Sequence, residues 1–495
     1  MIAANLPALQ IVVPLVAAPA CLLLRRGALA WALALAVSWA ALVIAALLLH
    51  QVVRAGPLSY EMGDWAAPWG IEYRIDALNA FVLLIVAGVG AVVMPYARRS
   101  VAHELPESQH GAFYTAMLLC LTGLLGVTIT GDAFNLFVFL EISSLSSYVL
   151  IALGRDRRAL TASFQYLVMG TIGATFIVIG IGLLYMVTGT LNIADLAARV
   201  PPMAGHRTVL AAFAFLTIGA SLKLALFPLH FWLPNAYAYA PSAVTGFLAA
   251  TATKVSVYVL IRFFFTVFGT EYSFQSLTLE NVLMPLAVVA VLVCSTVAIF
   301  QNDVKRMLAY SSIAQIGYMI LGISFASATG LTAGIVHLFN HAITKGGLFL
   351  VLGCVFLRVG SVRIEALSGL GRRMPLTMFA FVIGGLSLIG LPLSAGFISK
   401  WYLVQAALER DSWFLAAVVL AGSLLALLYV WRVVEVAYLR PAPEGGESAA
   451  AREAPLSMLV PTWILIGASV YFGIDTSLTL GVAREAARFL LGGGG

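Results

Sequence analysis

Residues 329–358 read TGLTAGIVHLFNHAITKGGLFLVLGCVFLR, thirty residues whose only lysine is Lys345 and whose only arginine closes the stretch. That exceeds the ~20 residues an α-helix needs to cross the hydrocarbon core of a bilayer. Lipid cannot hydrogen-bond a bare backbone, and a run this long and uniform suits a helix, not a barrel strand. His337, His341 and Lys345 stand at i, i+4 and i+8, stacked along one helix face. The stretch predicts a spanning helix that carries ionisable groups at membrane depth.

The same signal recurs along the chain. Apolar runs of spanning length lie at 6–24, 28–49, 76–96, 112–130, 133–153, 162–188, 208–228, 242–268, 281–301 and 307–325, and, after 329–358, at 375–407, 412–437 and 456–475. This predicts fourteen helices in an all-α polytopic membrane protein. The longest polar stretches, near 51–75, 189–207 and 438–455, are loop-sized and leave no room for a soluble domain. Composition agrees: 61% of the 495 residues are apolar and 10% charged, against roughly 45–50% and 25% in soluble domains. The net charge of +6 fits cationic loops on one side of a membrane better than nucleic-acid binding. Cys21, Cys120, Cys294 and Cys354 are scattered through apolar segments without CxxC spacing, which speaks against disulfides, clusters or structural zinc. No cofactor and no metal are expected. The first apolar run is followed by Arg25, Arg26 and a second span, unlike a cleavable signal.

Twenty-two of the 28 cations report topology. Alternate loops hold fifteen, among them Arg25, Arg26, Lys305 and Arg306, while the opposite set and the C-terminal tail hold seven. The richer side is expected to be cytoplasmic, with both termini on the outer face of a cytoplasmic (inner) membrane. The other six, Lys223, Lys254, Arg262, Lys345, Lys400 and Arg432, fall within apolar runs. The chain has only five lysines, so four of the five are expected inside the membrane. A lysine at mid-span costs about 2.5–3.5 kcal/mol on insertion scales. Snorkelling or pairing with a carboxylate accounts well for Arg262 and Arg432, near span ends. Lys254 has eleven or more residues of span on either side and cannot snorkel easily.

Arginine effectively never gives up its proton, whereas a desolvated lysine can exchange one. A row of lysines therefore points to a proton relay. Glu141 is the only acid deep in any span, and Ser144 and Tyr148 follow it at i+3 and i+7 on one face. The alternative is a structural ion pair that fixes helix packing. His337 and His341 suit proton transfer; a metal site is the alternative, but HExxH and nearby acids are missing. Two spans look interrupted. The seventh runs LKLALFPLHFWLPNAYAYAP from Leu222, and the twelfth runs GLSLIGLPLSAGFISKW up to Trp401. Proline and glycine weaken a helix, and paired breaks in two halves mark transporter ion sites.

With these motifs in view, about residues 76–410 resemble the antiporter-like proton-conducting subunits of Mrp-type sodium/proton antiporters and of the membrane arm of respiratory complex I. GDAFNLFVFLE ending at Glu141, TKVSVYVLIR around Lys254, QNDVKRMLAYSSIAQIGYM from Gln301, HAITKGGLFL from His341 and LPLSAGFISKW carry the likeness, with the two interrupted spans. Within the family it resembles the D-type subunits of Mrp antiporters, through TGTLNIADLA and GDWAAPWGIEYRID. The resemblance implies two inverted five-helix repeats, spans 4–8 (112–268) and 9–13 (281–437), with breaks in spans 7 and 12. Residues 1–111 would hold the first three spans, and 438–495 span 14 with a short tail. It implies Glu141 and Lys223 as a coupling pair, Lys254 as connecting lysine, His337, His341 and Lys345 as central relay, and Lys400 as terminal site. It also implies a transporter subunit, not an enzyme, with integral membrane partners, protons and sodium as cargo, and no nucleic acid. A redox-driven pump subunit is the first alternative; a scaffold subunit and an unrelated permease are the others.

Overall fold

The first three spans are α1 (Leu6–Leu23), α2 (Gly27–Ala55) and α3 (Ala77–Glu104). Then come α4 (His110–Ile129), α5 (Ala133–Ala152), α6 (Arg158–Thr188), the short α7 (Ile193–Arg199), α8 (Arg207–Leu224), α9 (Trp232–Tyr239) and α10 (Ser242–Ile261). The second half holds α11 (Glu280–Ile299), α12 (Val304–Ser324), α13 (Ala328–Val359), the one-turn α14 (Leu370–Arg373), α15 (Pro375–Ile389), α16 (Ala395–Leu408) and α17 (Trp413–Leu439). α18 (Leu456–Ile474) and α19 (Ser477–Leu490) close the chain. This computed structural model describes residues 3–24, 26–441 and 452–492; Arg25 and the stretch 442–451 lie outside the described residues.

Among the described residues thirteen helices are long and apolar enough to cross a membrane. The fourteenth expected span is the twelfth, which Gly390 splits into α15 and α16, each too short to cross alone. The seventh is split as well, into α8 and α9, at Ala225 with φ 60°. The polar stretch at 51–75 departs from an all-helical reading. It forms a small hairpin of β1 (Leu58–Glu61) and β2 (Glu72–Ile75), antiparallel with Leu58 opposite Ile75. Strands of four residues are tolerable there because open edges can be solvated outside the hydrocarbon.

Two backbone clasps repeat at a spacing of 171 residues. The Ala133 N–H donates to the Leu191 carbonyl and the Ile193 N–H to that of Gly131, each at 2.8 Å. Val304 donates to Val362 at 3.0 Å and Ile364 to Asn302 at 2.9 Å in the same relation. Asp132 caps α5 by accepting from the Asn135 N–H (2.6 Å), and Asp303 caps α12 by accepting from that of Arg306 (2.9 Å). α6 and α13 both end on a left-handed glycine, Gly189 (φ 70°) and Gly360 (φ 72°), where a side chain would be strained. Five spans per repeat is an odd number, so the second repeat enters the membrane from the opposite face and the pair is inverted. The hairpin reinforces the first clasp alone: Gly131 N–H donates to the Glu72 carbonyl (2.8 Å) and the Asn192 amide to the Glu72 carboxylate (2.7 Å).

Large apolar side chains are exposed on α1, α2, α6, α11, α17 and α18, whereas α10 and α13 are buried almost throughout. Helices facing lipid must be apolar outside, and the polar groups therefore collect along the inner pair. Small residues allow close crossing elsewhere: a Cβ on Gly219 of α8 would stand 2.7 Å from the Gly173 carbonyl of α6. The four cysteines are buried free thiols.

Candidate functional site

All five lysines are buried, with exposures of 0–5%. For four of them this agrees with their place in apolar runs. For Lys305 the structure corrects a loop assignment: it stands in the first turn of α12 and donates to the Ala240 carbonyl (3.3 Å) and Ser242 Oγ (3.5 Å). The reason is local. The Asp303 cap starts the helix two residues earlier, and the Phe356 ring, 5.6 Å from Nζ, covers the ammonium.

Glu141 on α5 and Lys223 on α8 meet as expected, with Nζ 3.2 Å from Oε1. Ser144, one turn after Glu141, accepts from the same ammonium at 2.7 Å. Lys223 lies in the last turn of α8, where unpaired carbonyls and the negative end of the helix dipole favour a cation. Trp232, the first residue of α9, closes the break by donating from Nε1 to the Leu222 carbonyl at 3.1 Å. Its ring stacks on Tyr166 with centroids 3.9 Å apart, and Tyr166 meets Tyr148 edge-on at 4.8 Å. The pair is unequally covered: the Lys223 side chain is 3% exposed and that of Glu141 26%. Glu141 shares its outer face with Phe134, Val138, Leu145 and Val149, all exposed.

Lys254 occupies the middle of α10, fully buried, and donates to the Ala249 carbonyl and to Thr253 Oγ1 (3.3 Å). α10 packs along α13, and Lys254 lies within electrostatic range of His337, His341 and Lys345. The two imidazoles are parallel, 6.2 Å between centroids, as the i, i+4 spacing requires. His337 Nδ1 shares a hydrogen bond with Ser399 Oγ at 2.8 Å. His337 Nε2, both ring nitrogens of His341 and Asn340 Oδ1 have no partner, four of the twelve such buried side-chain atoms among the described residues and four that cluster on one stretch of α13. Lys345 turns to α12 and donates to the Leu308 carbonyl at 2.7 Å.

Lys400, on α16, is held by the second break. α15 ends at Ile389, and its open carbonyls at Leu388 (2.8 Å) and Ile389 (3.0 Å) accept from Nζ, as does Ser423 Oγ (3.0 Å). The Tyr318 ring lies 4.9 Å from the ammonium. Gly390 has φ 87°, and a Cβ there would stand 2.8 Å from Lys400 Cδ, so both the turn and the lysine require glycine.

Arg262 and Arg432 stand apart from this row. Arg262 pairs with Asp76, the cap of α3, at 2.6 Å with both side chains buried. Arg432 donates to the Ile299 and Gln301 carbonyls and to Asn302 Oδ1 at the end of α11. Among the described residues no direct hydrogen bond joins Lys223, Lys254, His341, Lys345 and Lys400 to one another. The structure brings Glu141 to Lys223 and His337 to His341, and places Lys254 and Lys345 on the inner pair α10 and α13 and Lys400 apart from them on α16. The partners Ser399, Ser423 and Tyr318 escape a reading of the sequence, because a hydroxyl in an apolar run is common. Lys305 does carry a signal, since the loops otherwise use arginine alone. Amines, imidazoles and hydroxyls with a single carboxylate form a donor set suited to moving protons.

Residues 130–426 match the family described as NADH:quinone oxidoreductase/Mrp antiporter, TM. The chain is 43% identical over 475 residues to the N subunit of NADH-quinone oxidoreductase from Desulforudis audaxviator, covering 93% of this chain and 94% of that one. It is 32% identical over 399 residues to the D subunit of the Na+/H+ antiporter from Alkalihalophilus pseudofirmus, covering 80% and 79%. Among solved structures it is similar to a chain of the membrane-bound sulfane sulfur reductase, an archaeal respiratory complex (TM-score 0.90, 30% identity, 98% of each chain). It is likewise similar to a chain of the Mrp complex from Dietzia sp. DQ12-45-1b (TM-score 0.89, 27% identity, 99% and 98%).

Proposed function

The chain belongs to the NADH:quinone oxidoreductase/Mrp antiporter transmembrane family, and from that premise we propose that it is the proton-translocating subunit of a multisubunit monovalent cation (sodium)/proton antiporter. The observation that carries the proposal is the Glu141–Lys223 contact of 3.2 Å beside the first broken helix. Protons pass along the chain Lys223, Lys254, His341 and His337, Lys345, Lys400, with water bridging the unpartnered imidazole nitrogens. The charge state of the Glu141–Lys223 pair gates proton loading and release. The proton motive force drives the cycle with about 2.3 kcal/mol per charge per 100 mV. The repeats at 112–268 and 281–437 each supply one broken helix; 1–111 and 438–495 flank them. The complex sits in the cytoplasmic membrane with the arginine-rich loops inside and both termini outside. Its partners are other integral membrane subunits, and the chain works as a transporter rather than an enzyme.

A second reading, a subunit of a redox-driven pump, is favoured by the 43% identity to a subunit of an NADH-quinone oxidoreductase. Both readings use the same proton path and differ in what drives it. Membrane vesicles carrying the complex test the path: Glu141→Ala and Lys223→Ala should each abolish proton flux while the complex still assembles. Undiminished flux in both variants overturns the assignment. Sodium-gradient drive against quinone-reduction drive in the same vesicles separates the two readings.

A further inference from the structure

On the arginine-rich face, away from the lysine row, the loop ends of four helices enclose a cavity of about 480 Å³. Five guanidinium groups line it, from Arg158, Arg306, Arg363, Arg432 and Arg440. Two are neutralised locally, Arg158 by Asp156 (2.5 Å) and Arg440 by Glu435 (3.1 Å). Among the described residues the other three take part in no ion pair. Arg306 spends one N–H on Asn235 Oδ1 (3.2 Å), and Arg432 donates only to two carbonyls and an amide oxygen. Arg363 is fixed through its backbone, which pairs with Asp303 in the second clasp. The acids in the lining are Asp303, which already accepts from the Arg306 N–H as a helix cap, and Glu365.

A guanidinium fork that no carboxylate pairs matches phosphate oxygens, which it binds two at a time. The surroundings specify which phosphate. The cavity opens beside α11 and α17, where Phe300 is 74% and Trp431 53% exposed. Below them, past the exposed Thr296, whose hydroxyl donates to the Leu292 carbonyl, an apolar surface runs down the same two helices through Val293, Val289, Leu428 and Leu424. Exposed tryptophan marks the headgroup level of a bilayer, and basic pockets between helices at that depth suit acidic headgroups. A free anion has no use for the apolar track. We infer that this cavity binds the phosphate of an anionic phospholipid whose acyl chains lie along the α11–α17 surface.

The test uses the full chain in its complex, purified in detergent, stripped of lipid and offered phosphatidylglycerol or phosphatidylcholine in mixed micelles. Native mass spectrometry should show phosphatidylglycerol retained, phosphatidylcholine not, and retention unchanged by excess inorganic phosphate. The double variant Arg306→Gln/Arg363→Gln should lower retention about tenfold or more. Equal retention in that variant, equal retention of phosphatidylcholine, or displacement by inorganic phosphate alone overturns the proposal. A phosphatidylglycerol with a photoreactive headgroup gives a second measurement on the unaltered complex: it should label peptides containing Arg363 or Arg432. Labelling confined to other regions, or crosslinking of these arginines to a partner's carboxylates instead, also overturns it.

Discussion

At the first break Lys223 comes before the interruption, in the last turn of α8, and reaches across to Glu141 and Ser144 on α5. At the second break Lys400 comes after the interruption and reaches back to the Leu388 and Ile389 carbonyls that α15 leaves open. The backbone repeats, but the two ammonium groups are held by different physics. Lys223 faces a side-chain carboxylate and a hydroxyl on another helix. Lys400 faces backbone dipoles whose strength is fixed, with Ser423 and the Tyr318 ring beside them. On the proton path proposed above, the first site responds and the second receives.

The largest effect should come from Glu141→Gln, which keeps the shape and removes the charge. Proton flux in vesicles should fall on the order of a hundredfold, the lower end of what a positioned proton-transfer group contributes, and wild-type flux would erase the distinction between the sites. Lys400→Met should lower flux too, and also stability: two carbonyls lose their donor, each at about 1–3 kcal/mol. Thermal unfolding in detergent reads that loss, whereas Glu141→Gln should leave the second break intact. The turn residues sharpen the contrast. Gly390→Ala should destabilise by about 1–3 kcal/mol through its positive φ and its approach to Lys400. Ala225→Gly, at φ 60° in the first break, should stabilise by up to about 1 kcal/mol. The smallest change is Ser423→Ala, about 0.5–1.5 kcal/mol for one of three bonds to Lys400; an effect as large as that of Lys400→Met would mean the carbonyls contribute little.

Membrane burial explains why so much of this is legible in the sequence. A charge in hydrocarbon is so costly that residue identity alone betrays its place, which is how Glu141, Lys223, Lys254, Lys345 and Lys400 emerge from a string of letters. Proline and glycine likewise announce the breaks near Pro228 and Gly390. Hydroxyls carry no such penalty. Ser399 and Ser423 acquire meaning only when a second helix brings a histidine or lysine to them, and that approach depends on packing; Ser144 shows in the sequence only through its place on the Glu141 face. Lys305 reads as a loop residue for a boundary reason: it follows a polar turn, and only the Asp303 cap decides that the helix has already begun. The hairpin over 58–75 escapes a sequence reading because its strands are four residues long and too polar to show a clear alternation.

The repeated clasps bear on how the molecule can move. α5 and α6 are joined by a short turn at one end and by the Gly131–Ile193 and Ala133–Leu191 bonds at the other; α12 and α13 are closed in the same way. Each pair of helices is thus a ring, and a ring resists shear. Sliding one member past the other by a turn would break both backbone bonds, at about 0.5–1.5 kcal/mol each before any packing is lost. Compliance is left to the segments outside the rings, the unwound residues at the two breaks and the long side chains beside them. On the proton path proposed above, the lysine side chains move while the two rings keep their helices in register.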